Sequence, residues 1–357
     1  MTDKDYLEID GSFGEGGGAI LRLSAAFSVL YNKPIKIINI RANRSKPGLR
    51  LQHLLGLKIL AELTGSKFFS NDGECQIGTQ NLFFIPNSKF KDKINVNIDT
   101  SASIGLLVQP IQIACLGFSN PEKIELTLNG GGTYGKWAPS LSYLANVTYK
   151  IYKMAGLKIK LDIKKYGFFP KGGAQTVYTI YLPKNKLKPI NLLELGNIEA
   201  INGEIILTNH LKGRNIESRI KKSILLELER CIKVYTNINH RWVSSISPGI
   251  GLSLWATSDT GAVISSGTIL GEKQIPSEKL GKMASNELLK YIKNNIPVDK
   301  YLSDQLIPLM AYIKESSSIK VSEITTHTKT NLELLKSFTN RDYEITKGLN
   351  HYEIKYE

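Results

Sequence analysis

Cysteine is scarce in this 357-residue sequence: Cys75, Cys115 and Cys231 stand far apart, with no C-x-x-C and no histidine pair nearby. Such spacing indicates neither a disulfide framework nor a zinc site, and the expectation is three small buried hydrophobes. Histidine is scarce too, at five residues, and no Ser-His-Asp set, Cys-His set or metal-spaced pair occurs. An uninterrupted membrane-length apolar run is missing. Thr100 to Pro121 carries no charge, but Gln109, Pro110 and Gln112 interrupt it, so a buried helix is expected and no membrane association. The N-terminus has Asp3, Lys4, Asp5 and Glu8 where a leader needs an apolar run, so a cytoplasmic protein is expected.

Negative charge is missing locally. From Gly16 to Ala61 there is no Asp or Glu, while Arg22, Lys33, Lys36, Arg41, Arg44, Lys46, Arg50 and Lys58 all fall there. The whole chain carries a formal +14, which points to a polyanionic partner such as nucleic acid or to anionic substrates. Otherwise the composition, 42% apolar and 22% charged, is that of an ordinary globular protein with room for two domains.

What the chain does have is glycine where a phosphate could use it. Asp10-Gly-Ser-Phe-Gly-Glu-Gly-Gly-Gly-Ala-Ile-Leu-Arg-Leu23 lies between a short alternating run and an apolar-periodic one, and reads as a strand-to-helix turn. Glycines let backbone approach an anion, and the amides opening a helix point at it. The same stretch also fits the G-x-G-x-x-G/A dinucleotide fingerprint or a plain packing turn.

Periodicity predicts a strand near 6–10, a helix 19–31, a strand 34–41, a helix 50–64 and strands near 74–78 and 82–86. The next ninety residues repeat this β-α-β-α-β-β order. They give a strand 94–99, a helix 103–117, a strand 123–128, a glycine-rich loop 129–133, a helix 138–154 and strands near 157–164 and 174–182. Leu182 to Pro189, with two prolines and three lysines, reads as a connection to a separate unit. Beyond it come strands near 200–207, 250–256 and 262–269 and a helix 216–231. Helices 277–293 and 299–314, a strand 319–324, a helix 331–338 and strands near 343–347 and 351–356 make most of a third copy. The expected class is α/β or α+β. Residues 1–184 and 277–357 form a large three-unit domain, interrupted by a smaller α/β domain at 185–276.

Three clusters carry chemistry. Arg41 to His53 packs Arg41, Arg44, Lys46, Arg50, Gln52 and His53 into thirteen residues around a Pro47-Gly48 turn, a phosphate-binding loop or a solvated basic one. Thr325-Thr-His-Thr-Lys-Thr-Asn331 surrounds His327 with hydroxyls and an amide just before a short helix, and His327 and His53 are the candidates for nucleophile or general base. Tyr301-Leu-Ser-Asp-Gln305 sets Tyr301 and either Asp304 or Gln305 on one helical face.

Taken in order, these stretches and Tyr166-Gly-Phe-Phe-Pro-x-Gly-Gly173 resemble the RNA 3′-terminal phosphate cyclase family, from Asp10 to Asn331. The resemblance implies three repeated β-α-β-α-β-β units with an inserted smaller domain. It also implies ATP-dependent conversion of an RNA 3′-phosphate into a 2′,3′-cyclic phosphodiester through a histidine-AMP intermediate. By position His327 matches the adenylated nucleophile and Glu15 a holder of a divalent metal, Mg2+ or Mn2+. Arg22, Arg41, Arg44, Gln52 and His53 match the polar set around the phosphates, and Tyr301, Asp304 and Gln305 the nucleotide-site helix, with Gln109 and Pro139 approaching the adenosine. Ala19, Asn43 and Lys171 depart from the family pattern without removing a charged or nucleophilic position. Two alternatives stay open: a non-catalytic relative acting in RNA binding or ribosome assembly, and an NADP-dependent oxidoreductase using Gly14 to Ala19 with Arg41 or Arg44. A homo-oligomer stays open as well.

Overall fold

The computed structural model describes residues 6–14 and 16–357. Strand β1 (Leu7–Asp10) leads through the glycine-rich stretch into helix α1 (Gly18–Tyr31), followed by β2 (Ile35–Ile38), α2 (Leu51–Thr64), β3 (Lys67–Phe69) and β4 (Leu82–Ile85). The strands order as β1-β2-β4-β3, the first pair parallel and the others antiparallel. Ile35, Ile37, Leu82 and Phe84 are buried, the period-two pattern of a sheet covered on one face by helices. Helix α1 is buried from Ile20 to Leu30. A helix enclosed all round belongs at the centre of a structure, and α1 packs on α2, on α3 and on a helix from the far end of the chain.

The strand expected near 74–78 does not form. Gly73 and Gly78 adopt positive φ there, and the backbone that follows braces the basic loop instead. Leu49 N donates to Thr79 O at 2.9 Å, Gly78 N to Leu49 O at 2.9 Å and Ile40 N to Gln80 O at 2.9 Å. At Gly48 a Cβ would fall 2.1 Å from the Gly78 carbonyl oxygen, so only glycine allows this contact.

The second sheet repeats the plan with β5 (Lys93–Ser103), α3 (Ile104–Ala114), β6 (Lys123–Gly132), α4 (Leu141–Tyr143), α5 (Tyr149–Ala155), β7 (Lys158–Lys165) and β8 (Gln175–Tyr181). Its order is β5-β6-β8-β7, with only the first pair parallel. The glycines expected as a loop after 128 continue β6 to Gly132, and the helix expected over 138–154 is split by a π-helical segment, Leu144–Thr148.

Next comes β9 (Asn191–Leu192), then β10 (Ile198–Thr208), α6 (Ile216–Glu229), β11 (Tyr235–Val243), β12 (Ile250–Ser258), β13 (Val263–Ser265), β14 (Ile269–Leu270) and α7 (Ser277–Lys293). Strands β10 to β14 form their own five-stranded sheet, and α6 packs on α7. The chain closes with α8 (Lys300–Tyr312), β15 (Ser317–Val321), α9 (Thr326–Phe338), β16 (Tyr343–Lys347) and β17 (Tyr352–Tyr356). These complete a third four-stranded sheet in the order β9-β15-β17-β16, again with only the first pair parallel. Strand β9 thus carries pairing in the third sheet past residue 185, and its two residues are too short to show alternation. The class is α+β. Cys231, expected to be buried, is exposed just past α6. Among the described residues no helix is long and apolar enough to cross a membrane.

The five-stranded insertion is clasped to the second sheet. Tyr134 and Phe168 stack with centroids 5.4 Å apart, in a satellite core with Tyr166 and Ile206. Gly249 and Gly251 face the two rings, where a Cβ would fall 2.2 and 2.3 Å from ring carbons. Glu204 on β10 accepts from Ser142 Oγ and pairs with Arg241 at 3.1 Å, and the Tyr134 hydroxyl donates to Ser142 Oγ at 2.8 Å. Lys171 N donates to Ser247 Oγ at 3.1 Å, so the Tyr166 to Gly173 motif also docks the insertion.

Candidate active site

Helices α1, α3, α8 and α9, the loop before α4 and the 267–275 stretch of the insertion enclose a cleft of about 570 Å³. Arg22, Gln109, Pro139, Tyr301, Asp304, Gln305 and His327, all singled out from sequence, line it together.

His327 is the second residue of α9, because the helix begins at Thr326 and not near 331 as expected. The four-threonine run argues against a helix by propensity. Tertiary bonds override it. Thr325 caps the helix by accepting from Thr328 N at 2.9 Å. Its hydroxyl donates to Asp304 Oδ1 at 2.9 Å and that of Thr328 donates to the same oxygen at 2.6 Å. Asp304 therefore fixes the end of α9 that presents His327, and the positive end of the helix dipole there favours anions nearby.

Asp299 organises α8. It accepts from Tyr301 N and Leu302 N, both at 3.0 Å, and its carboxylate also receives the Tyr143 hydroxyl at 2.8 Å and Ser265 N at 3.0 Å. Burial pushes its carboxyl up to about 7 while these donors pull it down. Tyr301, 42% exposed, stands edge-on to Tyr143, and Gly267 of the insertion makes room for its ring. A Cβ on Gly267 would fall 2.3 Å from that ring.

Arg22 is buried and its Nε has no hydrogen-bond partner. Burial lowers it only to about 10, so it stays charged at neutral pH. A Cβ on Gly18 would fall 2.2 Å from His53 Nε2 and 3.0 Å from Arg22 Nη1, so the backbone that opens α1 lies directly on both. His53 Nδ1 accepts from Arg50 N at 3.1 Å, which assigns the ring proton to Nε2, the nitrogen facing Gly18. Burial first, then the charges of Arg22, Arg41 and Arg50, lower His53 to about 3. It is a neutral N–H donor among cations.

Arg41, Arg44, Gln52 and His53 lie outside the cleft lining, with Arg22 as the link between the two groups. Gln52 Oε1 accepts from Ser103 N at 3.1 Å, bracing the start of α3. Arg41 has a left-handed backbone, φ 56°, and donates to Lys46 O at 3.3 Å. The glycine-rich loop touches the histidine helix: a Cβ on Gly14 would fall 2.3 Å from Thr330 Oγ1, one turn beyond His327.

Glu15 lies outside the described residues. Among those described, no group of three or more His, Cys, Asp or Glu could hold a metal ion by itself.

Trp137 and Thr268, not singled out in the sequence, and Asn331, named there only as the amide that closes the His327 motif, also line the cleft. Trp137 lies two residues before Pro139 and was open to notice. Thr268, whose hydroxyl accepts from Ser140 N at 3.0 Å, comes from the insertion and had no local signal.

The family model for RNA 3′-terminal phosphate cyclase matches residues 13–345. A curated RNA 3′-terminal phosphate cyclase from Thermococcus onnurineus is 37% identical over 339 residues, covering 94% of each chain. Those from Pyrococcus abyssi and Pyrobaculum aerophilum are 35% and 33% identical, covering 95% and 98% of each chain. With one family matched across nearly its full length, the chain belongs to the RNA 3′-terminal phosphate cyclases.

Proposed function

We propose that this protein is a working cyclase that uses ATP to convert an RNA 3′-terminal phosphate into a 2′,3′-cyclic phosphodiester, with His327 as the nucleophile. A lone pair of the neutral imidazole attacks the α-phosphorus of ATP, a P–N bond forms and pyrophosphate leaves. An oxygen of the RNA 3′-phosphate then takes the AMP and frees the histidine. The adjacent 2′-hydroxyl attacks the activated 3′-phosphorus, loses its proton and expels AMP. The observation that carries this reading is the convergence of His327, Arg22, Gln109, Pro139, Tyr301, Asp304 and Gln305 on one cleft.

Each residue has a part. Tyr301 and Pro139 offer flat apolar faces to adenine, with Gln109 and Gln305 as polar partners. Arg22 sets a desolvated positive charge beside the phosphates, where it acts more strongly than in water. His53 donates Nε2–H to a phosphate oxygen, and Arg41, Arg44 and Gln52 receive the RNA end. A divalent ion, Mg2+ or Mn2+, would be held by Glu15 with the phosphates and would neutralise their charge.

The test is a 3′-phosphorylated oligoribonucleotide incubated with ATP and Mg2+ or Mn2+. Wild-type protein is expected to form the cyclic end, and His327→Ala to lose at least ~10³-fold in rate while remaining folded. Titration with NADPH and ATP separates the oxidoreductase reading: tight NADPH binding without ATP binding would defeat the cyclase assignment. A protein that binds RNA but leaves the 3′-phosphate unchanged would be the non-catalytic relative.

A further inference from the structure

Asn331 is only 2% exposed yet lines the cleft, and its Oδ1 has no hydrogen-bond partner. The other end of the amide is anchored, since Nδ2 donates to the Asp304 backbone oxygen at 3.0 Å. Reversing the amide would set Oδ1 against that carbonyl, so the orphan atom is the acceptor. A buried acceptor left unmade costs about 1–3 kcal/mol, and native proteins keep few. A donor that arrives or turns during the reaction would satisfy it.

Helix geometry identifies that donor. Asn331 follows His327 by four residues on α9, so both share a face, with Cβ atoms roughly 5–6 Å apart. Helical side chains lean toward the N-terminus, which tilts the amide toward His327. Both residues line the same cleft.

We propose that Asn331 is a positioning residue for His327: Oδ1 accepts the imidazole N–H once nucleotide is bound, leaving the lone pair of the other nitrogen facing the α-phosphorus. The inference rests on His327 being the nucleophile. A neutral imidazole has one N–H and one lone pair, and the acceptor of the first fixes the direction of the second. As the P–N bond forms, the ring gains positive charge and the bond to Oδ1 strengthens, so the contact favours the transition state over the ground state. A neutral amide does this without adding a charge that would favour the protonated ring. The titratable and charged groups on the other walls of this cleft are Arg22 on α1, Tyr143 on α4, Tyr301 and Asp304 on α8, and Lys136 and Glu272, and neither variant alters any of them.

The test is single-turnover self-adenylation with ATP and Mg2+ between about pH 5.5 and 9, a span that brackets ordinary histidine titration, alongside ATP affinity and thermal stability. Asn331→Ala is expected to slow adenylation about 10–100-fold, the usual loss for a partner that orients a histidine, with ATP affinity little changed. Asn331→Asp puts a carboxylate against the ring, so the acidic limb of its rate profile is expected to move to higher pH, with partial recovery in alkali. A structural role alone would not move that limb. An unmoved limb in folded Asn331→Asp, a wild-type rate in Asn331→Ala, or a loss confined to ATP affinity would overturn the proposal. Absence of adenylation in the wild type would overturn the nucleophile reading and this role with it.

Discussion

His53 shows how the residue-level environment sets chemistry here. Burial and three neighbouring arginines hold it at about 3, far below its ordinary 6.5. Between these values the unfolded chain binds a proton that the folded protein does not, so this group's contribution to stability falls as pH falls below about 6.5. Asp299, raised to about 7, has the opposite sign over much of the same range and partly masks the effect in the wild type. Comparison with His53→Gln isolates it. The melting-temperature advantage of wild type over that variant is expected to shrink as pH drops from 7 to about 4.5, where the unfolded histidine is charged. A constant gap would show that His53 is not held neutral. At this scale much of the site was legible: His327, Arg22 and the Tyr301 to Gln305 cluster stood out by chemical type and motif, and they do share a cleft. The orphan oxygen of Asn331 was not legible, because a missing partner is a property of three-dimensional surroundings.

At the scale of elements, the glycine-rich loop and α9 depend on each other. Gly14 has φ 61°, and a Cβ there would overlap Thr330 Oγ1. Gly14→Ala is expected to cost about 1–2 kcal/mol from the left-handed backbone alone and to slow cyclisation by displacing the loop. Adding Thr330→Ala removes the overlap but not the backbone strain, so it should restore part of the activity and little of the stability. Equal activity in the single and double variants would argue against the contact. The insertion's clasp gives a second test. Gly251→Ala drives a methyl into the Tyr134 ring, and overpacking of this kind costs about 1–3 kcal/mol. Calorimetry is expected to show a lowered melting temperature, and an unchanged one would mean that the clasp yields freely.

The elements themselves were uneven to read. Long periodic helices such as α1 and α2 matched expectation within a residue or two. The start of α9 was missed because threonine-rich sequence reads as loop, while its cap and Asp304 hold it helical. Strand β11 was missed because its Asn-Ile-Asn-His-Arg-Trp sequence is polar and largely exposed, and it joins the sheet through backbone pairing with β10.

At the scale of the whole molecule, three four-stranded sheets share one strand order, and the central helix α1 packs against helices that follow strands of the other two sheets. That arrangement lets residue 22 and residue 327 line one cleft. The mix of strands and helices was legible from the sequence, whereas β9 pairs in the third sheet far from its neighbours in the chain, a long-range pairing that no local pattern announces. The net charge of +14 belongs to this scale too. Binding of 3′-phosphorylated single-stranded RNA is expected to weaken linearly in log salt, by about 0.7 per phosphate neutralised, and Arg44→Ala should lower that slope by about one such contact. A slope near zero would remove electrostatics as the source of RNA affinity.

The most direct measurement is mass spectrometry of the peptide that contains His327 after incubation with ATP and a divalent metal, but no RNA. An acid-labile AMP adduct on His327, lost on chase with a 3′-phosphorylated RNA that becomes cyclised, is the result this account requires. An unmodified His327, or AMP on another residue, would contradict it.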